Sequence, residues 1–264
     1  MQAKARLEDT LAMMRDLRAR CEWDAAQTHE SLRPYLIEEA AELDDAIRDG
    51  DVTAMNEELG DVLLQVLFHS VVAEERAEFD IGDVAGALIA KMQRRHPHLY
   101  GTGEREPWEQ MKARKRESIE AGLPAGLPAL HRAHRLQDRA AGVGFDWPDV
   151  QGPADKVAEE LGEVRAHLPS LAEGGSEGPA PPASELEAEL GDLLFAVVNL
   201  CRKAGVHAGL ALDRANAKFI ARFTRMQQLA TERGMVFQSA GLDALDALWN
   251  EAKRDEPLQS ESRG

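Results

Sequence analysis

EEAAEL at residues 38–43 and EELGDVLLQVLF at 57–68 each carry a pair of acids three residues apart, Glu39 with Glu42 and Glu58 with Asp61. That spacing puts both carboxylates of a pair on one face of a helix. Two such helices packed antiparallel bring four carboxylates together. The second half of the chain repeats the arrangement: EELGEV at 159–164 gives Glu160 and Glu163, and AELGDLLFAVVN at 188–199 gives Glu189 and Asp192. Other elements recur in the same order. Lys91 and Arg95 are matched by Lys218 and Arg222, and Trp108 and Lys112 by Trp249 and Lys253. Four elements in one order, twice, mark a diverged internal duplication.

Outward from these stretches, a 3.6-residue apolar period runs through nearly the whole chain. It predicts helices near 3–20, 31–48, 53–77, 81–95, 107–120, 128–141, 150–167, 184–204, 208–233 and 241–254. Turn signals separate them at Asp49-Gly50-Asp51, at His96-Pro97-His98 and in AGLPAGLP (121–128). No apolar/polar alternation suggests a sheet. The expected fold is all-α: two tandem four-helix-type modules, 1–120 and 129–264, joined by a linker at 121–128. EGGSEGPAPPAS (173–184) is rich in Gly, Pro and Ser and falls between the paired acidic helices of the second copy. It reads as part of a flexible insertion over 171–184, not as a domain boundary.

Composition supports a helical protein. Ala, Leu, Glu and Arg are abundant and aromatics make up 5% of the 264 residues. The formal net charge of -16 repels a phosphate backbone, so a nucleic-acid polymer is not an expected partner. A small anionic ligand remains possible through a divalent metal and a few local cations. Cys21 and Cys201 form no CxxC pattern, and the polar start MQAKARLEDT has no secretory apolar segment. Thiols in a reducing cytoplasm are the expectation. Val62–Val72 is interrupted by Gln65 and His69 and is too short to span a bilayer, so no membrane association is expected.

The acid pairs have two readings. Acidic runs are usually solvated faces. Here, however, Glu58, Asp61, Glu189 and Asp192 open strongly apolar helices, where a carboxylate is costly unless paired or metal-bound. Four hard oxygen donors suit Mg²⁺, with Mn²⁺ as a substitute. A di-iron bundle needs Glu-x-x-His at i,i+3. Glu163 to His167 is i,i+4 and has no counterpart in the first copy. A helical interaction protein that uses its acidic faces for a partner is the other alternative.

EExxE followed by ExxD, twice, resembles the all-α NTP pyrophosphatase superfamily. CEWDAAQTHESLRPYLIEEAAEL (21–43), RRHPHLYG (94–101), WEQMK (108–112) and VGFDWPD (143–149) narrow the resemblance to the MazG family, over nearly the whole chain. The resemblance implies Mg²⁺-dependent hydrolysis of ribo- and deoxyribonucleoside triphosphates, with a broad base range, to monophosphate and pyrophosphate by a homodimer. It implies metal binding by Glu39, Glu42, Glu58 and Asp61, and by Glu160, Glu163, Glu189 and Asp192. Glu38 and Glu159 are candidates to orient or deprotonate the attacking water; each reads equally as a surface glutamate. Lys218 and Arg222 share a helix face and are read as phosphate clamps, against the alternative of a solvated basic stripe. Lys156, one turn before Glu160, is a further phosphate candidate. Trp249 and Lys253 resemble the family's nucleotide-contacting pair; core packing is the other role open to Trp249. Lys91, Arg95, Trp108 and Lys112 are the first-copy counterparts. In some relatives only the C-terminal copy is active, and the C-terminal site ranks first here.

Overall fold

The computed structural model describes residues 4–102, 116–172 and 183–255. Among these residues every regular element is helical, and the chain divides into two compact units, Met1–Arg105 and Glu106–Gly264. The first unit holds α1 (Leu7–Arg20), the short α2 (Glu22–Ala26), α3 (His29–Asp49), α4 (Val52–Glu75), α5 (Ile81–Arg95) and the one-turn α6 (Pro97–Tyr100). Its centre is the α3–α4 hairpin. Thr28 caps α3, its hydroxyl accepting from the Ser31 N–H at 3.2 Å. Gly50 ends α3 in the left-handed region, at φ 70°, a conformation that favours glycine. Asp51, the next residue, caps α4 by accepting from the N–H groups of Thr53 and Ala54 at 2.9 and 3.0 Å. With one helix closed and the next opened by adjacent residues, α4 folds back along α3. Leu67, Phe68, Val71 and Val72 of α4 then meet Met14 of α1 and Leu32 of α3 in a buried core.

The second unit holds α7 (Ala129–Gly142), α8 (Gln151–Ala172), α9 (Ala183–Lys203), α10 (Ala208–Glu232), a 3₁₀ turn at Phe237–Ser239 and α11 (Leu242–Asp255). α8 and α9 pack together as α3 and α4 do, and α7 lies against α9 and α10. α11 closes on α10, where Met226, Leu229 and Ala230 bury Leu248 and Ala252. The loop between α7 and α8 is fastened to the end of α9. Asp146 pairs with Arg202, and Lys203 Nζ lies 3.3 Å from Asp146 Oδ2 while donating to the Trp147 carbonyl at 2.7 Å.

Most elements fall where the apolar period puts them. The helix expected over 107–120 does not hold at its C-terminal end: residues 107–115 lie outside the described residues, and 116–120 are bends and turns. The physical reason is that the carbonyls of Ile119 and Ala121 accept from Arg139 Nη1 at 2.7 and 3.1 Å instead of from a helix, and Gly122 follows at φ 68°. Of the insertion expected over 171–184, residues 171–172 continue α8 and 183–184 open α9, while 173–182 lie outside the described residues. His96-Pro97-His98 does end α5, and Pro97 opens one further turn.

The Asp146 fastening has a measurable pH signature. Burial alone would raise the Asp146 pKa, but hydrogen bonds from Arg202 and Lys203 outweigh it and hold the carboxyl below the ordinary aspartate value. A depressed acid contributes fully above its unfolded pKa, near about 3.9, and the contribution is lost as pH falls through the folded value. Asp146→Asn is expected to cost about 2 kcal/mol at neutral pH, because Arg202 and Lys203 are left largely buried without their carboxylate. In urea unfolding, the gap between wild type and variant should close below about pH 4; a gap independent of pH would remove Asp146 as its source.

Candidate active site

Gly50 is the midpoint of an acid cluster. Glu39 lies eleven residues before it and Asp61 eleven after; Glu42 and Glu58 lie eight on either side. The hairpin therefore sets Glu39 against Asp61 and Glu42 against Glu58. Carboxylate oxygens of Glu39, Glu58 and Asp61 come within 4.8 Å of one another. Their chemistry reflects the crowding. Burial, then the charges of Asp61, Glu42 and Glu58, push the Glu39 pKa above the ordinary glutamate value. Burial, then the charges of Glu42 and Asp61, do the same to Glu58. Glu38 is exposed beside the cluster.

The second unit repeats the geometry with one difference. Oxygens of Glu160, Glu189 and Asp192 also lie within 4.8 Å of one another, and Glu160 is 4% exposed. Here a lysine enters the cluster. Lys156 Nζ lies 2.6 Å from Glu160 Oε1 and 2.8 Å from Glu159 Oε1. The hydrogen bond from Lys156 holds the Glu160 pKa below the ordinary value despite burial. Glu163, hydrogen-bonded to Glu160 and facing its charge, is raised instead. The bonds to Glu159 and Glu160 raise the Lys156 pKa, so it remains an ammonium. The first unit has Tyr35 at the corresponding position, four residues before Glu39. Each cluster is made of carboxylates, hard oxygen donors that fit a divalent ion of the Mg²⁺ or Mn²⁺ type.

Lys156, Glu160 and Asp192 open on a cavity of about 770 Å³ within the second unit. Its other walls come from Gln137 on α7, from Phe145 and Trp147 in the α7–α8 loop, and from Phe195, Asn199 and Arg202 on α9. Sequence reading did not pick out these residues as a site. A signal existed for the α9 members: 192, 195, 199 and 202 advance by three, four and three, so they continue the face that Asp192 begins. The loop members had only the VGFDWPD string. The first copy fills the matching face. Phe68 and Val71 follow Asp61 by seven and ten residues, as Asn199 and Arg202 follow Asp192, and both are buried in the core.

The remaining expected site residues lie elsewhere. Lys218 and Lys253 are exposed on α10 and α11. The Arg222 guanidinium sits 5.7 Å from the Trp249 ring centre, and Trp249 packs against Phe219 at 5.4 Å between ring centres. The cavity lining includes none of these four. Lys91 is exposed and Arg95 half-buried on α5; Trp108 and Lys112 lie outside the described residues.

Comparison with known proteins agrees with this duplicated acidic architecture. The family model described as the MazG nucleotide pyrophosphohydrolase domain matches twice, at residues 27–100 and 154–227. The Thermotoga maritima protein named nucleoside triphosphate pyrophosphohydrolase/pyrophosphatase MazG is 43% identical over 255 residues, covering 93% of this chain and 95% of its own. The Escherichia coli K12 nucleoside triphosphate pyrophosphohydrolase is 37% identical over 263 residues, covering 95% and 97%. Among the described residues no single helix is long and apolar enough to cross a membrane. The acid clusters, the repeated hairpin and these matches converge: the chain belongs to the MazG family of nucleotide pyrophosphohydrolases and carries the family's domain twice.

Proposed function

We propose that the protein hydrolyses ribo- and deoxyribonucleoside triphosphates, with little base preference, to monophosphate and pyrophosphate. The reaction depends on Mg²⁺, with Mn²⁺ as a substitute, and turnover takes place in the second unit of a cytoplasmic homodimer. The modules correspond to the two compact units, Met1–Arg105 and Glu106–Gly264. The observation that carries this reading is the opening of Lys156, Glu160 and Asp192 onto one cavity. The first unit keeps its acids but has Tyr35 in place of the lysine and buries Phe68 and Val71 on the face that borders the cavity in the second, which favours a structural or regulatory role for it.

The second unit's residues divide the work. Glu160, Glu163, Glu189 and Asp192 form the set that would hold the metal. When bound, a divalent ion offsets charge on phosphate oxygens and lowers the pKa of water. Lys156 adds a fixed ammonium beside the same carboxylates and stands ready to meet a phosphate oxygen. Glu159, exposed and bonded to Lys156 at 2.8 Å, would accept the proton of the attacking water. Oxygen of water joins phosphorus, the anhydride bond between the α and β phosphates breaks, and pyrophosphate leaves. Positioning and electrostatics supply most of the acceleration.

A second copy has surfaces to occupy. Leu194 of α9 is 58% exposed, and Phe219 and Ile220 of α10 are 56% and 63% exposed. A partner copy would cover these side chains. Lys218, Arg222 and Lys253 flank the α10 patch, so in the dimer they would approach phosphates bound by the other copy, with Trp249 holding the Arg222 guanidinium. Lys91 and Arg95, with Trp108 and Lys112, are the corresponding set of the first copy in the sequence. Light scattering should give a particle of twice the 29.0 kDa chain mass; a monomer at micromolar concentration would exclude this arrangement.

The hydrolytic reading is tested by pyrophosphate release from the eight common nucleoside triphosphates with Mg²⁺. Wild type should act on all of them. Glu160→Ala should lose at least about a hundredfold in kcat, since it removes a buried carboxylate at the centre of the cluster. Glu39→Ala should keep activity within about threefold. Equal losses from the two changes would make both units catalytic, and no release from any triphosphate would end the proposal. Mg²⁺ should also raise the Tm of wild type more than that of Glu160→Ala, because the ion binds only where the acids are assembled.

A further inference from the structure

The cavity of the second unit has two kinds of wall. One end carries Lys156, Glu160 and Asp192. The rest is mostly apolar and aromatic, and its two charged residues, Asp146 and Arg202, are paired with each other. Phe145 lines the cavity yet is 83% exposed, and Trp147 is 43% exposed. Trp147 is held in place. A Cβ on Gly152 would lie 2.3 Å from its ring, so only glycine at 152 lets the indole rest on the first turn of α8. Lys203 Nζ fixes its carbonyl at 2.7 Å.

Two amides supply polarity. Gln137 is 6% exposed, and its Nε2 donates to the Phe195 carbonyl at 2.8 Å. A carbonyl can only accept, so that bond settles which way the amide points. Gln137 Oε1 is left buried without a hydrogen-bond partner, which is costly unless an occupant supplies a donor. Asn199 Oδ1 accepts from Arg202 Nε and Nη2 at 3.0 and 2.9 Å, which leaves its NH₂ group as the donor on the other side. The volume of about 770 Å³ lies in the range of small-molecule sites.

We propose that this wall is the nucleoside half of the substrate site: the base lies against Phe145 and Trp147, offers an N–H to Gln137 and accepts from Asn199, with its phosphates directed toward Lys156 and the acids. The inference rests on the triphosphate reading above and deepens it. It assigns base binding to Trp147 in place of Trp249, whose ring is already engaged by Phe219 and Arg222. Every nucleobase presents an aromatic face and an edge with both donors and acceptors. A wall of aromatic surface with one acceptor and one donor therefore accepts purines and pyrimidines alike.

The test compares kcat/KM for ATP with that for ribose 5-triphosphate, which has no base, in the full-length protein with Mg²⁺. Wild type should prefer ATP by about tenfold or more, as one stacked base is worth. Trp147→Ala should erase most of that preference through KM for ATP, with the rate on ribose 5-triphosphate within about twofold of wild type. Gly152→Ala, which displaces the indole, should follow it. Gln137→Met should reduce the preference severalfold. General damage to the fold lowers both rates and leaves the ratio alone, so the ratio reports base contact. A wild-type preference untouched by Trp147→Ala and Gln137→Met would overturn this inference and leave the hydrolytic reading standing. A wild type that cleaves neither compound would overturn the triphosphate reading, and this inference with it.

Discussion

Carboxylates held within 4.8 Å of one another repel, and each unit of this protein is arranged around forcing them together. The force comes from the other side of the same helices. α4 buries Leu67, Phe68, Val71 and Val72, and α9 buries Ala196 and Val198. Burial of those faces leaves little choice in how the hairpin closes, so the acids meet whether or not their charges favour it. The two units then answer the repulsion differently. In the second, the Lys156 ammonium sits inside the cluster and keeps Glu160 ionised although it is 4% exposed. In the first no lysine occupies that position, and Glu39 and Glu58 hold their protons more tightly. Carboxylates whose mutual repulsion a cation relieves are suited to recruiting one, and a phosphate substrate can follow.

The duplication sets a filled core and a hollow on matching helix faces of one architecture. Phe68 and Val71 complete the core of the first unit; Asn199 and Arg202, on the matching face of α9, leave the second unit hollow. The hollow has costs: an exposed Phe145, a buried Gln137 oxygen without a partner, and polar side chains where apolar ones would pack. Functional sites are where such costs are tolerated. The surrounding structure offsets them with the Asp146 fastening to Arg202 and Lys203 and with the α10–α11 core.

What the sequence made legible follows from how local each feature is. The acid pairs were readable because i,i+3 spacing depends on the helix alone, and the hairpin around Gly50 follows from its turn residues. The end of the helix expected over 107–120 was misread because Arg139, from another element, captures the carbonyls of Ile119 and Ala121. No period within 107–120 carries that information. The cavity was illegible for the same reason. Its walls join α7, a loop and α9, and Trp147 is placed by the absence of a side chain at Gly152. A missing Cβ five residues away leaves no trace in an apolar pattern.

The two tryptophans Trp147 and Trp249 show why residue type alone does not tell a packed ring from one that lines a hollow. Each is partly exposed and each lies near positive charge. Their neighbours distinguish them. Trp249 spends its ring on Phe219 and on the Arg222 guanidinium, contacts that join α10 to α11. Trp147 rests one side on Gly152 and lines the hollow that Glu160 and Asp192 enter. An aromatic ring binds a ligand through the face its own fold leaves uncovered. Gly152, by having no side chain, lets the indole lie where that face can line the hollow.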